Sequence, residues 1–145
     1  MTGHIPAQLH TDISLFYARH MRAMDEGRVA DWTSDFTEDA IFITNARPDH
    51  QIGRSQIAQG AHTAAQALND VGDRRRHCLS NLEVHRVNPE STDIRVHSYA
   101  LIVRTPPNGP SATEFLCTCT DELTTIDGRW LIMRRRVERD DLCGE

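Results

Sequence analysis

An α+β domain, with N-terminal helices packed on one face of a curved, mainly antiparallel sheet, is the fold class this sequence predicts. Three observations carry it. Apolar residues recur at helical spacing up to about residue 70, and four long segments with strand periodicity follow. Turn chemistry separates those segments: Asn88-Pro89-Glu90-Ser91, Pro106-Pro107-Asn108-Gly109-Pro110 and Asp127-Gly128.

The first helix runs from Pro6 to about Met24, where Leu9, Ile13, Phe16, Tyr17, Met21 and Met24 form an apolar row that Gly27 ends. Arg28 to Phe36 reads as a second, short helix. Ala40–Thr44, branched and aromatic, reads as a strand. Gly53 to about Asn69 is rich in Ala and Gln and reads as a third helix, with Gly72 as its stop. The strand segments are Arg75–Val87, Thr92–Thr105, Thr113–Thr125 and Arg129–Arg139. No linker, repeat or low-complexity tract divides the chain, so a single domain over residues 1–145 is expected.

Composition excludes several classes of chemistry. There is no lysine: all 16 basic residues are Arg, which removes Schiff-base catalysis and pyridoxal-phosphate anchoring. The glycines form no phosphate-binding loop, dinucleotide fingerprint or nucleophile elbow. A net charge of −5 recruits neither nucleic acid nor an anionic membrane, and no apolar run is long enough to span one. The first residues lack the layout of a signal peptide, so a cytoplasmic protein is expected, with Cys78, Cys117, Cys119 and Cys143 as reduced thiols.

Periodicity sorts the polar candidates. Tyr17, Met21, Met24 and Asp25 share one helical face, and an acid ending an apolar row must reach solvent or a buried partner. Strand alternation places His77, Leu79 and Asn81 on one face. It groups His97, Tyr99, Leu101 and Val103 opposite Val96, Ser98, Ala100 and Ile102. His77 or His97 is the expected partner of Asp25. In Arg134-Arg135-Arg136, Arg135 falls in register with Leu131, Met133 and Val137, from where it can hold a carboxylate or enolate at a pocket mouth; the opposite reading turns it to solvent. Arg74-Arg75-Arg76 reads as a solvated strand start. Asp25, His77 and His97 are of the types that hold a metal, but the eight histidines show no metal-ligand spacing, so no metal is expected.

These segments resemble the SnoaL-like members of the nuclear transport factor 2-like superfamily, which include polyketide cyclases, scytalone dehydratase and lindane dehydrochlorinase. The resemblance lies in FYARHMRAMDEGR with Tyr17 and Asp25, in Trp32 and Asp35–Ile43, and in Gly53–Ile57. Arg75–Val84, Ile94–Val103 and Asp127–Val137 complete it, so it spans about residues 9 to 140. It implies a cone-shaped α+β barrel around a pocket, with no organic cofactor. In the dehydratases of this group an Asp at the end of the first helix orients a His base on the sheet, and Asp25 and His77 fall on those positions. His97 resembles the second histidine of scytalone dehydratase, at a shorter spacing. The dehydrochlorinase has a lysine where this chain has His20, so halide abstraction is not implied.

The resulting expectation is a cofactor-independent dehydratase or cyclase acting on a hydrophobic, polyketide-like β-hydroxy carbonyl substrate. His77 is the base, Asp25 fixes its tautomer, His97 protonates the leaving hydroxyl or polarises the carbonyl, and Tyr17 donates to the enolate oxygen. Asn81, Tyr99 and Arg135 are the substrate-binding candidates. Ketone isomerisation or aldol-type cyclisation on the same site is the alternative, as is the small subunit of a ring-hydroxylating dioxygenase. That last reading expects Asp25 and His77 apart or exposed. A homodimer is expected through the open face of the sheet, which would cover Ile102 and Ile132.

Overall fold

The structure, a computed structural model, describes residues 4–144. Helix α1 (Ala7–Asp25) buries Ile13, Phe16, Tyr17, His20 and Ala23 along one face, as its apolar spacing requires. Helix α2 (Val29–Thr33) is shorter than the expected 28–36, because Phe36 already belongs to strand β1 (Phe36–Thr44), where it is fully buried. Strand β2 (Gln51–Ile52), absent from the sequence reading, pairs antiparallel with β1 through Ile41↔Ile52 and Phe42↔Gln51. Helix α3 (Arg54–Val71) ends on Gly72 at φ 73°, a left-handed turn that favours glycine. Strands β3 (Arg74–Arg86), β4 (Ile94–Thr105), β5 (Ala112–Ile126) and β6 (Arg129–Arg139) lie within a residue or two of their expected spans. Asp127 and Gly128, with φ of 52° and 75°, make the tight hairpin that their sequence signals. Among the described residues no helix is long and apolar enough to cross a membrane.

The six strands form one sheet in the order β2-β1-β6-β5-β4-β3. Among the described residues only the β1–β6 pair is parallel, and every other pair is antiparallel. With β2 and β3 as edges, the expected cone is open. Irregularities in strand pairing bend the sheet and reset which residues face inward. In β3, Asn81 and Leu82 together oppose the single Ser98 of β4, so the inward set changes from Arg75, His77 and Leu79 to Leu82 and Val84. In β6 an extra residue at Met133 separates Trp130 and Ile132, which join the core, from Arg135 and Val137, which face the cavity. The core packs α1, α2 and α3 onto the concave side through Phe16, Val29, Trp32, Ile57, Val96, Leu123 and Ile132.

The outer side of the sheet does not expose Ile102 or Ile132: Ile102 lines the internal cavity, and Ile132 is fully buried. Tyr99, Leu101 and Leu116 are exposed apolar residues on the middle strands, with Leu101 and Leu116 directly opposite in register.

Candidate active site

A cavity of about 240 Å³ opens between the concave face of the sheet and helices α1 and α3. Met21, Met24, Trp32, Phe42, Ile57, Leu79, Ala100, Ile102 and Val137 give it apolar walls. Its polar groups come from all sides: Tyr17 of α1, Arg47 of the β1–β2 connection, Gln51 of β2, Arg75 and His77 of β3, Ser98 of β4, Cys119 and Asp121 of β5, and Arg135 of β6. A mostly apolar cavity with a few convergent polar groups is the usual form of a small-molecule site.

Asp25 is the last residue of α1, where the helix dipole disfavours a negative charge. Three N–H contacts from one residue compensate. Asp25 Oδ1 lies 2.6 Å from His77 Nδ1, and the carboxylate accepts from the His77 backbone N–H at 3.2 and 3.1 Å. A carboxylate can only accept, so Nδ1 carries the hydrogen and the neutral ring keeps its lone pair on Nε2. The Asp25 side chain is 8% exposed and that of His77 19%, so the pair is largely shielded from water while the imidazole still lines the cavity. The predicted partnership of helix end and sheet histidine is therefore present.

A second charged cluster lies deeper. Arg135 Nε and Nη2 donate to the two oxygens of Asp121 at 3.0 and 2.9 Å, and Tyr17 Oη donates to Asp121 Oδ2 at 2.7 Å. All three are almost completely buried. The bidentate pairing balances both charges in a poorly solvated place, and Arg135 also rests on the rings of Phe36 and Phe42 at 5.1 and 5.8 Å. Burial opposes the Arg135 cation, but Asp121 beside it outweighs this and holds its pKa above the usual arginine range. Burial and then the Asp121 charge push the Tyr17 phenol well above its ordinary value. The same two causes raise the Cys119 thiol to about 12, which leaves it unreactive.

Behind this cluster His20 is fully buried, with Phe16 and Trp32 stacked on its ring. Its Nδ1 is 2.8 Å from Asp35 Oδ2, and its Nε2 has no partner among the described residues. Burial, followed by the positive charge of Arg135, lowers its pKa to about 4, so the ring is neutral.

The structure brings together Asp25, His77, Tyr17 and Arg135 of the seven predicted site residues, and places the other three elsewhere. His97 and Tyr99 belong to the outward row of β4. The His97 ring meets Thr120 Oγ1 at 3.2 Å, and Tyr99 is 51% exposed. Alternation grouped these side chains correctly but does not say which group the sheet curves around; Ser98, Ala100 and Ile102 are the inward ones. Asn81 sits in the β3 bulge at φ 56°, exposed, beside a groove it shares with His97 and Tyr99. Asp25, His77 and His97 consequently do not converge as a ligand set. Arg135 does reach the cavity together with Val137, while the bulge at Met133 parts it from Leu131 and Met133, the other companions assigned to it. Tyr17 is present, with its single O–H committed to Asp121.

Sequence reasoning missed Asp121, Arg75, Arg47 and Gln51. Asp121 had a readable signal: it interrupts the inward row Cys117, Cys119, Leu123 and stands opposite Arg135 in the strand register. Arg75 shares the inward face with His77 and ties one terminal nitrogen to Glu114, while its buried Nε lacks a partner among the described residues. It is not part of a wholly solvated strand start.

A family model described as a SnoaL-like domain matches residues 7–136. Among solved structures, Aln2 from a Streptomyces species is 26% identical over 97% of this chain and 96% of its own, with a TM-score of 0.87. A Catenulispora acidiphila protein solved in complex with S-DNPA is 29% identical over 94% of this chain and 96% of its own, with a TM-score of 0.79. ActVI-ORFA from Streptomyces coelicolor, 22% identical over 93% and 97% of the two chains at a TM-score of 0.84, shares the fold. No curated protein sequence matches this chain.

Proposed function

The chain belongs to the SnoaL-like domain family, and from that premise we propose that it is a cytoplasmic, cofactor-independent acid–base enzyme, a dehydratase or cyclase of polyketide-like β-hydroxy carbonyl compounds. The observation that carries this reading is the Asp25–His77 pair at 2.6 Å on the wall of an open, apolar cavity. A related protein solved with S-DNPA bound supports a small organic molecule as the ligand.

His77 Nε2 removes a proton from the carbon next to the carbonyl. Asp25 holds Nδ1–H and stabilises the imidazolium that forms. Charge then develops on the carbonyl oxygen. Tyr17 has its hydroxyl turned to Asp121, whereas Arg75 stands two residues from His77 on the same inward face, lines the cavity, and gives only Nη2 to Glu114. Arg75 is the donor we assign to the enolate oxygen, in place of Tyr17. The His77 imidazolium then returns its proton to the β-hydroxyl, which leaves as water and gives the dehydrated product; attack of the enolate on a second carbonyl, with the same proton passed to the new alkoxide, gives ring closure from the same intermediate. A role as a dioxygenase small subunit expects a separated or exposed Asp25 and His77, and the closed pair favours the enzyme. Two chains joined through the outer face would cover Tyr99, Leu101 and Leu116, and light scattering reads that state directly.

The test is conversion of fused-ring β-hydroxy ketones to enones, followed by the new conjugated absorbance. A general base contributes about 10²–10⁴-fold in rate, so His77→Ala should lose that much, with circular dichroism unchanged. Turnover surviving His77→Ala within a factor of about three would overturn the reading, since it would leave no catalytic work for the base.

A further inference from the structure

We infer that the cavity mouth holds a carboxylate-recognition site built from Arg47 and Gln51 over Gly60, and that the preferred substrate carries a carboxylate. This deepens the proposed function and rests on it.

The cations around the cavity are not equivalent. Arg135 is neutralised by Asp121, and Arg75 by Glu114. Arg47 lines the same cavity and, among the described residues, has no carboxylate partner; burial alone shifts its pKa, downward. Other arginines also lack a carboxylate partner, but among the described residues Arg47 is the one of them that lines this cavity. Its carbon lies 5.5 Å from the centre of the Phe42 ring, also in the cavity wall. Seated against an aromatic ring, a guanidinium still has in-plane N–H groups for the two oxygens of a carboxylate.

Gly60 explains how a second donor comes beside it. A Cβ on Gly60 would overlap Gln51 Nε2 and stand 3.7 Å from Arg47 Nη1, so both groups lie over the bare backbone of α3 at this one position. Any larger residue here would displace Gln51. The amide and the guanidinium thus share one small polar site at an otherwise apolar cavity. A ring system filling that cavity reaches His77 on one side and can present an acidic group to Arg47 and Gln51 on another.

Isothermal titration calorimetry with 2-naphthylacetate and the neutral 2-naphthylacetamide separates charge from shape. Wild type should bind the acid about tenfold more tightly or better. Arg47→Gln, on an exposed side chain that the core does not need, should bring the two affinities together with the amide's changed by less than about twofold. Gly60→Ala, which displaces Gln51 and keeps the Arg47 charge, should shrink the preference by a smaller factor. Equal binding of acid and amide by wild type, or a preference that persists in Arg47→Gln, overturns this site and leaves the acid–base reading intact. Failure of wild type to bind either compound overturns both, because the cavity would then not be a small-molecule site.

Discussion

Arg135 and Asp121 face each other across adjacent strands, and the guanidinium donates two parallel hydrogen bonds to the carboxylate, 3.0 Å from Nε to Oδ1 and 2.9 Å from Nη2 to Oδ2, in an almost fully buried place. Tyr17 closes the cluster by donating to the same carboxylate. Two charges taken out of water together cost little only while they remain together.

Removing one partner should therefore be far worse than removing both. Arg135→Met leaves a buried carboxylate with only a phenol to hold it, and should cost about 3–5 kcal/mol in urea unfolding. The double variant Asp121→Leu/Arg135→Met should recover most of that loss. If the single variant is no less stable than the double, the pair is not an interdependent unit.

Backbone geometry makes a different prediction at Asn81. Its φ of 56° is tolerated by Asn and Gly and disfavoured by a β-branched residue. Asn81→Gly should leave the melting temperature nearly unchanged, while Asn81→Val should cost about 1–2 kcal/mol. Because this bulge turns His77 and Leu79 inward on one side and Leu82 and Val84 inward on the other, the Val variant should also weaken ligand binding in the cavity. Equal stability of the two variants would contradict the assigned strain.

Acid should destabilise the fold through His20. Burial keeps its folded pKa near 4, whereas an unfolded histidine protonates near 6.5. The unfolded state thus takes up a proton first as pH falls. The contribution is complete above about pH 6.5 and is lost progressively down to about pH 4; at pH 5 the loss is on the order of 2 kcal/mol. His20→Gln does not titrate, so its stability should fall less than wild type between pH 7 and pH 5 by about that amount. Parallel stability curves for the two proteins would rule out a buried neutral His20.

Much of this arrangement could be read from the chain alone, for identifiable reasons. The α1 row and the four long strands follow from periodicity that tertiary packing reinforces. Asp25 was legible because an acid at the end of an apolar helical face, opposed by the helix dipole, demands a partner. Which partner was harder to read. His77 and His97 occupy equivalent-looking strand positions, and only the direction in which the sheet curves separates them. Strand bulges hid the rest: one moved Asn81 off the face of His77, and another detached Arg135 from Leu131 and Met133. Arg47 and Gln51 lie around a two-residue strand with too little pattern to detect, and their meeting over Gly60 exists only in three dimensions.

In the proposed reaction His77, oriented by Asp25, takes a proton from carbon. Dehydration, isomerisation and cyclisation all share that step, so it can be measured without the natural leaving group. Fused-ring ketones such as 1-tetralone are incubated with the protein in D₂O, and loss of the α-proton signal is followed by nuclear magnetic resonance. Exchange should be faster than in buffer for wild type, with a drop of about 10²–10⁴-fold in the enzyme's contribution for His77→Ala and an intermediate rate for Asp25→Asn. Exchange by His77→Ala at the wild-type rate, or no acceleration by wild type with any ketone that it binds, would contradict this role of His77.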